Sequence, residues 1–394
     1  MNKRTFAKSL ILCTALGWAG ISTAQEAFKV GLILPMTGPF ASTGRQIESA
    51  AKLYMAQHGD TVAGRKVQLI LKDDGGSADT TRRLAQELVV NDKVDVLAGF
   101  GLTPLALAVA PIASRAQVPT VVMAAATATI TEASPFIVRT GFTLPQVTEP
   151  LAEWAGKNDI KKVVTLVSDY GPGIDAENAF KGRFAAGGGE VLETLRVPLA
   201  NPDFAPFLQR VRDLSPDAVF VFVPSGVGSA FMKQFASRGL AEAGIRLIAT
   251  GDVTDDDLLN GMGDVALDVV TTHHYSAAHD SQVNRDYVKA FRDSANMRPN
   301  FHGLGGYDGM HLIYQALADT EGKGGGKALV EAMKGKSWES PRGPMSIDPE
   351  TRDVIQNVYV RKVERGGDGE LYNVEFETFE TVKDPVKAAK KAAS

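Results

Sequence analysis

The residues with most to offer a ligand are hydroxyls and small side chains grouped behind short β-branched runs. After residues 29–34 comes Pro35-Met36-Thr37-Gly38-Pro39-Phe40-Ala41-Ser42-Thr43-Gly44. After 94–99 comes Phe100-Gly101-Leu102-Thr103-Pro104, and after 119–123 comes Ala124-Ala125-Ala126-Thr127-Ala128-Thr129. None of these side chains carries a charge. Thr hydroxyls and the free N–H groups of helix starts each donate a charge-assisted hydrogen bond, so the set suits a carboxylate held by neutral donors. Any one of these residues is equally readable as a helix N-cap; three such loops on one sheet edge make a site. A second set offers different chemistry: Ser168-Asp169-Tyr170-Gly171-Pro172-Gly173, Pro224-Ser225-Gly226 and Thr250-Gly251-Asp252-Val253-Thr254. Tyr170 presents a flat apolar face with a polar tip, and Asp252 can accept from a ligand cation or hydroxyl. Asp255-Asp256-Asp257 read as an acidic first helical turn capped by Thr254, which needs no metal.

Rigid elements must stand behind those loops. From Phe28 onward, short β-branched runs alternate with segments of helical periodicity, the pattern of βαβ units in a parallel sheet. Strands are expected at 29–34, 66–72, 94–99 and 119–123, with helices at 44–57, 79–91 and 104–117. The pattern then restarts, with strands at 162–167, 190–197, 218–223 and 246–249 and helices at 174–186, 204–214 and 228–239. Two doubly wound halves are implied. After 268–272 come helical segments at 282–295, 306–320 and 327–334, then β-like runs at 355–363 and 371–379. These contain no full βαβ series and therefore complete the first two halves. The Gly/Lys-rich stretch 321–327 reads as a loop, and the Ala/Lys-rich end, 385–394, as a flexible C-terminal tail.

Composition narrows the function. The 394 residues carry 42 Lys plus Arg and 46 Asp plus Glu, a formal net charge of −4, without the basic footprint of a nucleic-acid binder. At roughly 100–200 residues per domain, the length predicts about two domains. Lys3, Arg4 and Lys8 precede a mostly apolar run at 9–21, followed by Ser22-Thr23-Ala24. Residues 1–24 therefore read as a secretory signal peptide cleaved near Ala24, which would remove Cys13, the only cysteine. Enzyme signatures fail one by one. Val223-Pro224-Ser225-Gly226 lacks the first Gly of a nucleophile elbow, 321–328 departs from the phosphate-loop pattern at both ends, and 34–44 lacks Gly-x-Gly-x-x-Gly. His273, His274 and His279 have no acidic pair at helical spacing to make a metal site, and His302 and His311 read as packing or surface residues. No enzyme, cofactor or metal is expected.

From Phe28 to about Phe379 the chain resembles the periplasmic solute-binding proteins of ABC transporters in the leucine/isoleucine/valine-binding (branched-chain amino acid) family. The likeness is carried by Gly31-Leu32-Ile33-Leu34-Pro35-Met36-Thr37-Gly38-Pro39, Asp73-Asp74, Val118-Pro119, Ala125-Ala126-Thr127 and Tyr170-Gly171-Pro172-Gly173, in that order and spacing. It implies the type I periplasmic-binding-protein fold: α/β, with two doubly wound parallel-sheet lobes joined by a three-crossing hinge. The crossings fall near Thr143, 272–276 and Gln356, so that lobe 1 comprises 25–143 plus 273–355 and lobe 2 comprises 144–272 plus 356–384. The resemblance further implies a periplasmic substrate-binding component of an ABC importer. It would bind a small amino acid, branched-chain or aromatic, between the lobes by hinge closure and hand it to permease and ATPase subunits. On the family's pattern Thr103, Ala125 and Thr127 hold the ligand carboxylate, Asp252 its ammonium, and Tyr170 closes over it.

Departures from that pattern bear on the ligand. Thr43 stands where leucine-type members carry an aromatic, and Pro224 or Ser225 where they carry a Tyr. Phe40, Phe100, Phe142 and Tyr275 add aromatic bulk around the cleft, each also readable as core packing. Thr43, Phe100, Ser225 and Tyr275 join the candidate ligand contacts. Subgroups of the family resemble binders of aromatic carboxylates and oxo acids, and in that alternative Asp252 accepts a hydroxyl. A ligand-binding sensor subunit that docks on a receptor is the remaining alternative.

Overall fold

The computed structural model describes residues 26–393. The expected signal peptide, 1–24, lies outside the described residues. Strands β1 (Phe28–Leu34), β2 (Thr61–Val62), β3 (Arg65–Asp73), β4 (Val96–Gly99), β5 (Thr120–Val122) and β6 (Ile137–Arg139) form a first sheet in the order β2-β3-β1-β4-β5-β6. All but the short β2 pair in parallel. Such strands are covered on both faces, which is why β1 and β4 read as near-continuous apolar runs. Helices α1 (Ala41–His58), α2 (Ala78–Glu87) and α3 (Thr103–Ala116) make the crossovers.

The second lobe repeats the plan. Helix α4 (Leu144–Lys157) leads into β7 (Lys162–Ser168), β8 (Glu190–Val197), β9 (Ala218–Phe222), β10 (Arg246–Thr250) and β11 (Val270–His273). Helices α5 (Gly171–Ala186), α6 (Ala205–Leu214), α7 (Ser225–Ser237) and α8 (Leu259–Met262) are interleaved with the strands. The chain then returns to the first lobe as α9 (Gln282–Ala295), α10 (Phe301–Asp319) and α11 (Gly326–Met333). It ends in β12 (Ser337–Ser340), β13 (Gly343–Ile347), β14 (Val354–Arg365), β15 (Leu371–Val382) and α12 (Pro385–Ala393). Helix α10 is apolar nearly all round because it is buried against α1 and beneath the first sheet.

Three expectations need correction. The hairpin β12–β13 was expected in the first lobe with the rest of 273–355, yet β13 hydrogen-bonds to β14 and extends the second, nine-stranded sheet. Its side chains do serve the first lobe: Trp338 and Ile347 pack in that lobe's core. Asp308 of α10 accepts from Trp338 Nε1 (2.9 Å), Ser340 Oγ (2.9 Å) and Arg342 Nη2 (2.6 Å), so one buried carboxylate clamps the hairpin to α10. The end of the chain, expected to be a flexible tail, is helix α12 over 385–393, with Lys387 only 7% exposed. And Asp255-Asp256-Asp257 open no helix. Thr254 Oγ1 donates to Asn373 Oδ1 at 2.8 Å, and Asp255 and Asp256 are buried, bonded to Asn300 Nδ2 and Asn373 Nδ2.

The crossings lie side by side. Gln146, in a capping box with Thr143, donates to the carbonyls of Val354 (3.1 Å) and Val382 (2.7 Å) and accepts from Gln356 Nε2 (2.9 Å). Gln356 in turn accepts from Arg342 Nη1 at 2.6 Å. A buried polar chain of this kind fixes register at the hinge, since each amide would otherwise lose its partner in an apolar interior.

Candidate ligand-binding site

The cleft between the lobes encloses a narrow cavity of about 30 Å³, so a ligand enters it only as the lobes part. Lobe 1 contributes Phe40, Thr43, Gly101–Thr103, Ala124–Ala126 and Phe142; lobe 2 contributes Tyr170, Pro172, Phe222, Pro224, Ser225 and Asp252; Leu144 and His302 complete the wall. Strand ends put them there, as expected where helix starts face a crevice at the carboxyl edge of a parallel sheet. Thr103 is the first residue of α3, Ser225 the first of α7, and Tyr170 the residue that precedes α5. A larger cavity of about 610 Å³ lies under α12 instead. Its lysines are taken by carboxylates, Lys383 by Asp348 (3.2 Å), Lys390 by Glu132 (3.0 Å) and Lys391 by Glu350 (2.6 Å), which leaves little to hold an anion.

At the lobe 1 end, Thr103 Oγ1 and Thr127 Oγ1 lie 2.8 Å apart in a hydrogen bond. One hydroxyl proton satisfies the pair and the other is left to donate. Thr127 stands one step behind the wall. The Ala125 N–H is committed to the Phe100 carbonyl at 3.0 Å, so Ala125 forms wall and presents no free N–H. Phe100 itself does not reach the cavity. Its φ of 68° turns the ring into the core with Leu97 and Leu105, while its backbone ties the loop after β4 to β1 and to Ala125. A bulky residue in the left-handed region is strained, and here the strain sets the cleft wall. Tyr275 is also remote, fully buried in the core beside Tyr287. The structure therefore brings Thr43, Thr103, Ala125, Tyr170, Ser225 and Asp252 to one cavity, with Thr127 adjoining, and leaves Phe100 and Tyr275 outside it.

At the other end stands Asp252, the one acidic side chain in the wall, with no Lys or Arg among the lining residues. It accepts from Thr250 Oγ1 at 3.0 Å, and His273 Nε2 lies 3.7 Å away. Burial pushes its carboxyl up to about 6, against the pull of His302 and the Thr250 hydroxyl. His302, one step into α10, comes within 3.4 Å of Ser225 Oγ through Nε2, and burial pushes it down to about 3, so the ring is neutral. Neutral imidazole has one donor and one acceptor nitrogen, which pairs it with a ligand hydroxyl better than with an ammonium. His302 was read as a packing or surface residue because the helix was expected to start only at 306; it lines the cleft instead. The signal was Asn300, whose side chain caps α10 by accepting from Gly303 N at 3.0 Å.

The lobes touch across the cleft. Ala128 N donates to Asp175 Oδ2 at 2.8 Å, Ser42 bonds to Asp257, and Gly171 sits so close that a Cβ there would lie 2.8 Å from Thr127 Oγ1. This is the closed arrangement of a two-lobed clamp.

Against known proteins, residues 27–368 match the family model described as periplasmic binding protein. The chain belongs to this family. A Leu/Ile/Val-binding protein homolog 6 from Brucella abortus is 46% identical over 93% of this chain and 95% of its own length. Among solved structures, a solute binding protein of an ABC transporter from Rhodopseudomonas palustris BisB5, in complex with 3,4-dihydroxybenzoic acid, is 63% identical. It superposes with a TM-score of 0.90, covering 92% of this chain and 99% of that one. Another from Rhodopseudomonas palustris HaA2, in complex with p-hydroxybenzoic acid, is 42% identical with a TM-score of 0.89, covering 92% and 100%. The periplasmic binding protein described here is thus a solute-binding protein of an ABC transporter with the type I fold. Among its described residues no helix is long and apolar enough to cross a membrane.

Proposed function

We infer that the cleft takes a hydroxylated aromatic carboxylate, of the 4-hydroxybenzoate or 3,4-dihydroxybenzoate class. The single observation that carries this is the split chemistry of one cavity: neutral hydroxyls at the Thr103 end, the Asp252–His302 pair at the other. Between them lie aromatic walls, with Tyr170 stacked on Phe222 at 6.1 Å between centroids and Phe142 facing inward. A flat ring would suit such walls once the lobes part to admit it, its carboxylate accepting from Thr103 and its hydroxyl donating to Asp252. An amino acid would ask Asp252 to balance an ammonium, and a carboxyl pushed up to about 6 favours its charged form less than an ordinary one. The acids bound by the two Rhodopseudomonas proteins support the same choice. The amino-acid reading draws support from the name of the Brucella relative and is the outcome to test against.

The protein would work without chemistry on its ligand. It would be exported by residues 1–24, capture its ligand in the periplasm, and present the closed form to a permease driven by an ATPase. Titration calorimetry on ligand-stripped protein tests the reading. Both hydroxybenzoates should bind at least tenfold more tightly than leucine, and tighter binding of leucine would overturn it.

A further inference from the structure

Between the ligand cleft and the C-terminal helix runs a buried chain of charged groups that ligand contact alone does not explain. Arg139, at the end of β6, is fully buried. Its Nη2 donates to the carbonyl of Thr127 at 2.7 Å and its Nη1 to the carbonyl of Phe142 at 2.9 Å, so a single guanidinium grips two segments of the lobe 1 cleft wall. Its Nε lies 2.9 Å from Asp353 Oδ1, on the residue that precedes β14 at the third crossing. Asp353 pairs through its other oxygen with Lys387 of α12, and Lys387 also donates to Thr131 in the short helix that begins next to Thr127. Each of these three ionic side chains is 7% exposed or less.

Burial on this scale is costly for a lysine unless the charge is paired, and the rest of α12 behaves otherwise. Lys390 and Lys391 lie on its surface with exposed carboxylate partners. Among the lysines of α12 Lys387 alone turns inward, onto Thr131 of the segment that follows Thr127, which Lys390 meets only at the surface through Glu132. Removing its ammonium would leave Arg139 as the one ion-pair partner of Asp353 among the described residues. The guanidinium would then be drawn toward that carboxylate and away from the two carbonyls it now holds.

We propose that Lys387 is a positioning residue for ligand binding, acting through Asp353 and Arg139 to fix Thr127, and with it the hydroxyl of Thr103 that meets the ligand carboxylate. The proposal rests on the reading of the ligand as a carboxylate gripped at the Thr103 end, and applies to an aromatic acid or an amino acid alike. The C-terminal helix is then part of the binding device.

The test is a double-mutant cycle read by calorimetry, using whichever of 4-hydroxybenzoate and leucine the wild-type protein binds. Lys387→Met should weaken binding about tenfold, while Lys390→Gln, on the same helix but at its surface, should change it less than twofold. Lys387→Arg should restore most of the loss. In a Thr127→Val background, where the hydroxyl is already gone, Lys387→Met should cost threefold or less, because coupled residues do not add. Full additivity, or a tenfold loss that Lys390→Gln reproduces, overturns the proposal, since either would mark a general loosening of the helix. If Lys387→Met proves too unstable to assay, the same cycle run with Asp353→Asn in its place, against Thr127→Val, decides it: additive effects reject the proposal and coupled effects support it. Wild-type binding of neither acid overturns the carboxylate reading and this role together; wild-type binding with an unchanged Lys387→Met overturns this role alone.

Discussion

Thr103 and Thr127, twenty-four residues apart in sequence, share a 2.8 Å hydrogen bond directly beneath Gly171 of the opposite lobe. The anion end of the cleft is therefore finished only when the lobes meet: lobe 1 supplies the hydroxyls and lobe 2 supplies the roof that excludes water. Charge-assisted hydrogen bonds gain strength as water leaves, so closure and grip reinforce each other.

Replacing Thr103 by Val keeps the shape and removes the hydroxyl. A hydrogen bond to a charged group contributes about 1.5–3 kcal/mol, so affinity for 4-hydroxybenzoate should fall about 10- to 100-fold. Calorimetry measures it, with thermal unfolding as the control for fold. An affinity within twofold of wild type would take Thr103 out of contact with the ligand.

Gly171→Ala probes closure without touching a ligand group. Alanine is a better helix former than glycine, and the residue opens α5, so the ligand-free protein should be no less stable. In the closed form its Cβ would meet Thr127 Oγ1 at 2.8 Å, too close unless the Thr127 hydroxyl turns away from Thr103 or one lobe shifts. We expect affinity to fall about tenfold, and small-angle scattering to show less compaction on adding ligand than in wild type. Full compaction at wild-type affinity would mean that the lobes meet less tightly than this.

Asp308 governs stability at the hinge. Its carboxylate faces Arg342 at 2.6 Å, both side chains 1% exposed, and also holds Trp338 and Ser340. Asp308→Ala would leave a buried arginine unpaired, and breaking such a pair costs about 3–5 kcal/mol. Denaturant unfolding should record a loss of that size. A change below about 1 kcal/mol would show that water or a neighbour takes over Asp308's role.

Much of this architecture was legible because periodicity reports burial. The parallel strands β1, β4, β7 and β9 are covered on both faces and read as apolar runs, and the segments after them carried Thr43, Thr103, Tyr170 and Ser225 to the cleft. What escaped was set by partners distant in sequence. Lys387 looks like any lysine in an Ala/Lys-rich end until Asp353 and Thr131 are placed beside it. Phe100 looks like a cleft aromatic until its positive φ turns the ring inward. Helix α4 was missed because its core is judged by residues of both lobes, although Thr143 and Gln146 spell its capping box. Glycines at 303, 305, 306 and 309 hid the start of α10, and with it His302. They are there because Gln46, Met123 and Ile47 approach too closely for a Cβ.

Asp252 gives binding a pH dependence whose sign can be worked out. Its carboxyl is pushed from 3.8 up to about 6, so it gains its proton in the folded protein before an ordinary carboxylate would. Facing it are Thr250 on its own segment, His273 on β11, Arg361 on β14 and His302 on α10, with both imidazoles neutral through burial. A phenol hydroxyl donates more strongly to the carboxylate than to the acid, and the difference is about 1 kcal/mol. Affinity for 4-hydroxybenzoate should therefore fall between about fivefold and tenfold as pH drops from 7.5 to 5, with its midpoint near 6. Benzoate, which has no hydroxyl to donate, should bind with little change over that range. Ligand-free stability moves the opposite way at this site. Because the folded state holds the proton more tightly than the unfolded chain does, Asp252's contribution rises as pH falls from about 6 toward 3.8. Asp252→Asn should flatten both dependences. If 4-hydroxybenzoate and benzoate respond to pH identically, or the Asn variant keeps the wild-type profile, the hydroxyl does not meet Asp252.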